Sequence, residues 1–560
     1  MFGLARRLLG LPRRRFRAEF QPTWMPLSDG VRLATAVVLP VGAPARLPAV
    51  LIRTAQPAHG RSRPAALLAR LLAESGFGVV VQECRGRHQS EGEFVPFENE
   101  AADGADCVAW LSDRSWFDGR LALVGFGYSA FSAFATASRT DGRVRALVVG
   151  FGSRDPHASF HSGGALELAS ALRFAATHSE PGDVAESRLD LERGGRFRPI
   201  READRVTLRR VDWYREWLEH PRRDAFWEKL TPALASPAPP ALLLASWYGP
   251  SLGAQLGDYA ALAAAAQRDA GPAPELVIGA WARGRGSARA PRGQGVLAVS
   301  LRETATFLGR HLDTGAAAAA PVRVFVGGER RWREASAWPI PQAQPQRLHL
   351  RSSGRANGLV GDGRLEEEEP PAQETPDRFV YDPADPVPSC GGTLRGRGRG
   401  AADQRSVEAR ADVLCYASAP LSHDRLVVGN VRVRLHVASG APDTDFTAKL
   451  VDVGQSGASA HVCEGIARCR WRTGADEPTW LEPDEPILLE IDLGAAACRF
   501  GAGHRMRLEI SSSSVPRFDA NGNVRDAPAQ VTNDACEPAQ QTVYHDAERP
   551  SQLLLEVLPL

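Results

Sequence analysis

The chain has 560 residues, and 67 Lys+Arg against 66 Asp+Glu leave a formal net charge of +1. This balance excludes a function based on bulk electrostatic attraction to nucleic acid or to an acidic membrane. With 43% hydrophobic and 24% charged residues, the composition is that of a folded globular protein with room for about three or four domain-sized units.

The first segment, residues 1–18, is rich in arginine, and the arginines interrupt its apolar residues too often for a secretory signal. We expect a basic N-terminal tail. No run of about 20 apolar residues occurs, so the sequence predicts no transmembrane segment and a soluble, cytoplasmic protein. The eight cysteines contain no CxxC pair, which favours buried free thiols in a reducing compartment. No metal and no cofactor is expected.

Residues 19–151 alternate short apolar runs with helical spacing. Strands are predicted over 49–53, 76–82, 121–125 and 146–149, and helices over 65–73, 101–111 and 129–138. This alternation predicts a parallel sheet covered by helices on both faces. The strand signal vanishes over 152–232, where helical stretches at 164–177 and 212–217 predict an inserted cap. The core resumes over 233–346, with strands over 241–245, 275–279 and 322–326 and a helix over 259–268.

Residues 347–560 have a different character. Turns rich in Gly and Pro separate short segments in which apolar and polar residues alternate, at 431–437, 446–453, 488–491, 506–511 and 553–557. That pattern is typical of an all-β sandwich. We therefore predict a C-terminal β domain after the α/β core.

Several long segments carry a family resemblance in the right order. They include MPLSDGVRLATAVVLP (25–40), VVVQECRGRHQSEGEFVPF (79–97) and FGAGHRMRLEISSSSVPRF (500–518). With the matches between them, the chain resembles the cocaine-esterase and X-Pro dipeptidyl-peptidase family of α/β-hydrolases along nearly its whole length. The resemblance implies a hydrolase core, an inserted helical cap and a C-terminal jelly roll.

The family performs acyl transfer with a Ser nucleophile, a His base and an Asp that orients the His. Its Ser stands in a Gly-x-Ser-Tyr-x-Gly turn, its Asp follows Trp-Tyr, and its His ends Gly-Pro-Trp-x-His. In this sequence the three positions hold Gly127, Gly249 and Arg283. A glycine has no nucleophile, and an arginine does not act as a general base near neutral pH.

The family stabilises the oxyanion with the backbone N–H after the Ser and with a Tyr hydroxyl from an early Arg-x-Pro-Tyr loop. Here the N–H belongs to Tyr128, which is retained. The loop tyrosine is replaced by Gln56, which can still donate a hydrogen bond from its side-chain amide. The scaffold patterns thus persist while all three triad positions are lost.

Three hypotheses follow. The first is a pseudo-hydrolase, or a repurposed protein, that binds a small molecule between core, cap and jelly roll, with Arg283 favouring an anionic group such as a carboxylate. The second is an active serine esterase or amidase, cleaving acyl esters or X-Pro peptides through a displaced nucleophile such as Ser129. The simpler interpretation of this serine is structural, as an N-cap or first-turn residue of a helix. The third is a non-catalytic partner that assembles as a homo-oligomer.

Several other residues could in principle act as bases, metal ligands or nucleophiles, but a structural role is the simpler interpretation of each. His59 and His88 lie on early core loops and are candidates for a substitute base, although solvated loop histidines are the simpler interpretation. Asp443 and Asp445 have the spacing of metal ligands but are expected to fix loops. Cys84 follows a core strand and is expected to be a buried thiol.

Overall fold

The computed structural model of the protein describes residues 14–58, 64–179, 189–281, 295–314, 320–394 and 399–559. In these ranges the chain forms an α/β unit, a helical insertion and an all-β domain. This architecture confirms the predicted fold class. Among these residues no helix combines the length and the apolar character needed to cross a membrane.

The α/β unit is built on one large sheet. Within the described residues its strands and those of the insertion are β1 (Arg17–Pro26), β2 (Arg32–Val41), β3 (Leu47–Thr54), β4 (Gly78–Glu83), β5 (Phe117–Phe126), β6 (Val144–Gly150), β7 (His161–Ser162), β8 (Ala165–Leu166), β9 (Ala241–Ser246), β10 (Glu275–Gly279), β11 (Val322–Val326) and β12 (Arg331–Ala335). All but β7 and β8 form a ten-stranded sheet in the order β1-β2-β4-β3-β5-β6-β9-β10-β11-β12.

The central strands of this sheet, from β4 to β11, are parallel to one another, whereas β1, β2 and β12 pair with their neighbours antiparallel. Strands β3, β4 and β9 are buried along their whole length, which is why they appear in the sequence as nearly continuous apolar runs. The carboxyl ends of the parallel strands meet at one edge of the sheet. Ligand sites of open α/β sheets lie at that edge.

The described helices are α1 (Pro64–Ala73), α2 (Glu100–Ser112), α3 (Tyr128–Ala137), α4 (Pro156–Phe160), α5 (Leu168–His178), α6 (Leu191–Gly195), α7 (Asp212–Glu219), α8 (Ala225–Leu230), α9 (Leu252–Arg268), α10 (Val296–Gly309) and α11 (Arg405–Glu408), with a 3₁₀ helix at Ile200–Thr207. Apolar side chains of α2, α3 and α9 pack on one face of the sheet, and those of α1 and α10 pack on the other. The sheet is therefore covered on both faces, as predicted.

The insertion differs from its prediction at one point. The stretch 164–177 was expected to be helical, but α5 begins only at Leu168, and β7 and β8 form a small ribbon before it. Gly163 and Gly164 turn between them with φ of 54° and 84°. A Cβ on Gly163 would collide with the carbonyl oxygen of Ile466 in the β domain. The prediction was wrong because this turn depends on a contact with a distant segment.

Two further expectations need correction. Helix α9 begins at Leu252, seven residues before the predicted start at 259, because two glycines in its first turns weaken the helical signal. The eight thiols are all free, but they are not all buried: five are, whereas Cys390, Cys498 and Cys536 are only half-buried.

The C-terminal domain is antiparallel almost throughout. Its described strands are β13 (Gln344–Arg351), β14 (Arg364–Glu366), β15 (Asp377–Tyr381), β16 (Leu414–Ala417), β17 (Arg425–Ser439), β18 (Asp445–Val453), β19 (Ser459–Arg468), β20 (Ile487–Phe500), β21 (Arg505–Ser511), β22 (Ala539–Tyr544) and β23 (Gln552–Leu558). They form one eleven-stranded hydrogen-bonded system, in which β17 contacts β20, β22 and β23. The inward-facing residues of these strands form a separate apolar core.

Candidate functional site

A sharp turn joins β5 to α3 at the carboxyl edge of the sheet, and we call it the elbow. Strand β5 ends at Phe126 and α3 begins at Tyr128, so Gly127 alone makes the turn. Its backbone has φ of 63° and ψ of −126°, a conformation that strains any residue with a Cβ. The Gly127 N–H donates to the carbonyl of Gly150 at 2.8 Å. This is the strand-turn-helix geometry that presents a nucleophile in α/β-hydrolases.

The packing around the elbow requires small residues on both sides. A Cβ on Gly125 would collide with the carbonyl of Ser129, and a Cβ on Gly152 would collide with the carbonyl of Gly127. A Cβ on Gly127 itself would meet no heavy atom of the described residues within 4 Å. The chain therefore keeps the tight packing of an elbow and leaves open the space that a nucleophile side chain would occupy.

Ser129, the displaced nucleophile of the second hypothesis, lies in the first turn of α3 and is only 8% exposed. Among the described residues no histidine is hydrogen-bonded to its hydroxyl. Its backbone carbonyl packs against Gly125, which ties this residue to the strand rather than to the open side of the elbow. Its position is that of a first-turn helical serine.

Gly249, at the predicted acid position, lies in the turn after β9. Gly249 donates its N–H to the carbonyl of Ser246 at 2.9 Å, and a Cβ added to it would lie 3.1 Å from that same oxygen. Arg283, at the predicted base position, and His59 lie outside the described residues. The two predicted triad positions that the structure describes are glycines, and the assignment of all three positions stays a prediction.

The early loop carries Gln56 on the surface. Its side chain is exposed, and its backbone N–H donates to Thr54 Oγ1 at 3.0 Å. The adjacent carbonyl of Ala55 lies 3.1 Å from His88 Nε2, so His88 contacts the backbone of this loop. A role for the Gln56 amide as a hydrogen-bond donor to a ligand stays a prediction.

Tyr128 is held in place from two sides. Its hydroxyl donates to Glu100 and accepts the N–H of Phe97 at 3.0 Å. Burial raises the pKa of the Glu100 carboxyl. Its second oxygen, Oε2, has no hydrogen-bond partner among the described residues. The Tyr128 backbone N–H stands at the first position of α3, where helical N–H groups have no intrahelical acceptor. It can therefore donate to an oxygen atom placed above the elbow.

Aromatic rings from the core and the insertion surround Tyr128. Ring centroids lie at 5.5 Å for Phe94, 5.9 Å for Phe174 and 5.6 Å for His178. We call these four half-buried side chains the aromatic wall. The sequence does not predict this wall; its local signal is the spacing of four between Phe174 and His178, which places both on one face of α5.

His178 is expected to make the protein lose stability as the pH falls below about 6.5. Burial, and secondly the charge of Arg87, lowers the pKa of His178 to about 3, so the unfolded chain takes up this proton at higher pH than the folded protein. Folding is therefore progressively disfavoured in acid, by up to about 1.4 kcal/mol per pH unit. Urea unfolding between pH 7 and pH 4 should show a shallower decline for His178→Phe. The exposed His423 provides the control, and a decline in His178→Phe as steep as in His423→Gln would contradict the prediction.

A Ser–His–acid contact, which the sequence did not predict, lies in the β domain beside a cavity of about 780 Å³. His545 Nε2 lies 3.1 Å from Ser352 Oγ, and its Nδ1 lies 2.8 Å from Glu374 Oε2. Asp377 Oδ2, however, lies 3.1 Å from the same Nε2 and accepts the Ser352 hydroxyl at 2.7 Å. Burial opposes the charge on His545, but hydrogen bonds to the two carboxylates raise its pKa overall. Because the Ser352 hydroxyl donates to Asp377 rather than to His545, this contact does not present an activated nucleophile and instead stabilises the domain.

The remaining sequence candidates have structural partners. Asp443 accepts from Arg470 Nε at 2.7 Å, and Asp445 pairs with Arg468 through two contacts of 2.9 Å. These carboxylates fix segments of the β domain, as predicted. Cys84 is buried, and burial raises the pKa of its thiol to about 12, which keeps it protonated and unreactive.

Comparison with known proteins gives matches along most of the chain. The family model described as X-Pro dipeptidyl-peptidase (S15 family) matches residues 29–283, and that of the X-Pro dipeptidyl-peptidase C-terminal non-catalytic domain matches residues 314–554. Cocaine esterase of a Rhodococcus strain is 33% identical over 95% of this chain and 97% of its own length.

Two solved structures share the fold over 98% of both chains with a TM-score of 0.81. One is an α-amino acid ester hydrolase at 24% identity, and the other is an aminopeptidase from a marine sediment archaeon, Thaumarchaeota, at 21% identity. At these identities the likeness shows the fold alone.

Proposed function

The chain belongs to the cocaine-esterase and X-Pro dipeptidyl-peptidase family of hydrolases, and on that premise we propose that it binds a small molecule at the elbow without a serine nucleophile. The observation that carries the proposal is Gly127, which makes the strained turn of a nucleophile elbow and offers no side chain there. Ester cleavage through an acyl-enzyme needs a hydroxyl or thiol at this point. Binding of a small molecule needs only the open space at the elbow and the side chains that surround it.

The surroundings of the elbow support a ligand that is partly aromatic. Half-buried rings, including those of Phe94 and Phe174, offer flat apolar surfaces beside Tyr128. The Tyr128 N–H can donate to one ligand oxygen. Arg283, from its place in the sequence, favours a carboxylate on the same molecule. The ligand class we propose is therefore a small aromatic carboxylate.

The direct test is reaction of the purified chain with a fluorophosphonate serine probe, together with hydrolysis of p-nitrophenyl acetate. We expect no stoichiometric labelling and no ester turnover above the buffer rate, from a protein that unfolds cooperatively. Benzoate should bind, by calorimetry, more tightly than benzamide, which lacks the charge. The Rhodococcus cocaine esterase is the positive control for labelling.

Each alternative has its own outcome in this test. Stoichiometric labelling that maps to Ser129 would overturn the proposal in favour of an esterase or amidase with a displaced nucleophile, and Ser129→Ala would then abolish turnover. Labelling at Ser352 would instead place hydrolysis in the β domain. Absence of benzoate binding from a chain that forms a stable oligomer by light scattering would favour the non-catalytic partner.

A further inference from the structure

The loop between β4 and α2 sends one arginine into the interior. Arg87 is only 1% exposed and is among the largest fully buried side chains of the protein. Burying a guanidinium is costly unless its N–H groups find acceptors. The hydrogen-bond acceptors of Arg87 show which segments of the chain its side chain connects.

Among the described residues, three backbone carbonyls accept hydrogen bonds from Arg87. Nε donates to Ala55 at 3.1 Å, Nη1 to His178 at 3.0 Å and Nη2 to Thr177 at 3.1 Å. Ala55 adjoins Gln56 on the early loop of the core, whereas Thr177 and His178 end helix α5 of the insertion. The guanidinium also lies over the ring of Phe94, 5.1 Å from its centroid. One side chain thus joins the core loop, the insertion and the aromatic wall.

The end of a helix is a favourable place for this cation. The last carbonyls of a helix have no intrahelical donor and carry the negative end of the helix dipole. A planar guanidinium can serve several carbonyls at fixed angles, which an ammonium group does not do. Arg87 is therefore suited to hold the end of α5 in one orientation.

That end of α5 carries half of the aromatic wall. Phe174 and His178 stack on each other with centroids 4.1 Å apart, and both face Tyr128. The other end of α5 is held by the β domain, where the Ala169 N–H donates to the carbonyl of Pro516 at 3.0 Å. The end held by Arg87 carries the two rings that lie beside Tyr128.

We propose that Arg87 is the positioning residue of the elbow site: it holds the end of α5 against the core so that Phe174 and His178 stand beside Tyr128. The inference rests on the proposed function for its ligand readout alone. Arg87 is not one of the four rings of the aromatic wall; it contacts Phe94 and holds the end of α5, and so sets the distance between these two parts of the wall. Replacement of Arg87 should therefore destabilise the end of α5 more than it destabilises the rest of the fold.

The test compares backbone hydrogen exchange in Arg87→Leu, Arg87→Lys and the wild-type protein. In Arg87→Leu we expect exchange to accelerate about tenfold or more at residues 174–178, with little change at residues 168–171. Benzoate affinity should fall by a similar factor. Arg87→Lys keeps the charge at the helix end and should recover part of both losses, which a purely space-filling role would not predict.

Arg85 supplies the matched control in the same loop. Its guanidinium pairs with Asp29 and Asp103, each at 2.7 Å, and both partners belong to the core. Arg85→Leu should leave exchange in α5 at the wild-type rate. Unchanged exchange at residues 174–178 in Arg87→Leu would overturn the inference, whether or not benzoate binds. Absence of benzoate binding in the wild-type protein, with the exchange result as expected, would contradict the proposed function alone.

Discussion

The triple variant Gly127→Ser/Gly249→Asp/Arg283→His is expected to hydrolyse p-nitrophenyl acetate at least about 100-fold faster than the wild-type chain, the scale on which a positioned base contributes to catalysis. It should also react with a fluorophosphonate probe at position 127. The scaffold for this gain is present: the elbow has the backbone of a nucleophile turn, and the Tyr128 N–H is in place to stabilise an oxyanion.

Each substitution meets a different local constraint. At Gly127 the added Cβ meets no described atom within 4 Å, so the cost is backbone strain at φ of 63°, about 1–3 kcal/mol. At Gly249 the Cβ would lie 3.1 Å from the Ser246 carbonyl, so the turn must yield by a few tenths of an ångström. The Arg283→His substitution is chosen from the position of Arg283 in the sequence motif alone. We therefore expect a folded but somewhat less stable protein.

Two controls separate chemistry from structure. Gly127→Ser alone supplies a hydroxyl without base or acid and should show little turnover. Replacing the serine by alanine, in Gly127→Ala/Gly249→Asp/Arg283→His, keeps the Cβ and removes the nucleophile, so labelling should disappear. A triple variant that unfolds cooperatively but shows no labelling and no turnover would mean that these three positions do not form a triad.

Replacement of Arg468 by methionine is expected to reduce the free energy of unfolding by about 3–5 kcal/mol at pH 8. Arg468 is 2% exposed and pairs with Asp445 through Nε and Nη2 at 2.9 Å, and with Asp519 through Nη1 at 3.0 Å. Asp519 also accepts the N–H of Leu166 from the insertion. The variant would leave two buried carboxylates without their cation at the contact between insertion and β domain.

The pH dependence of this loss has a definite sign. Burial raises the pKa of Asp445 to about 6 even beside Arg468, and loss of the cation must raise it further. A carboxyl with a higher pKa in the folded state disfavours folding as the pH rises through that range. The deficit of Arg468→Met should therefore be largest at pH 8 and smaller at pH 5, as measured by urea unfolding.

Arg432 offers a matched control in the same domain. It lies 3.6 Å from Glu490 with both side chains about half exposed, and exposed pairs contribute less than about 1 kcal/mol. Arg432→Met should be nearly neutral at both pH values. An equally small effect for Arg468→Met at pH 8 would contradict the assignment of the buried pairs as a principal link of the domain.

The elbow and the aromatic wall differ in how far they could be predicted. Gly125, Gly127 and Tyr128 are consecutive or nearly so, and the apolar strand before them sets their register, so the sequence located the elbow directly. Phe94 and His178 are 84 positions apart in the chain and meet through the packing of α5 on the core, where Arg87 contacts both segments. No local pattern encodes that contact.

The sequence by itself determined the fold class, the order of core, insertion and β domain along the chain, and the tight turn of the elbow at Gly127. Buried strands and a tight turn leave short, local patterns, because their residues are neighbours in the chain. The tertiary structure decided the ribbon at Gly163, the His545 network and the surroundings of Tyr128. Those features depend on which distant segments share a buried, low-dielectric space, and that is set by packing of the whole chain.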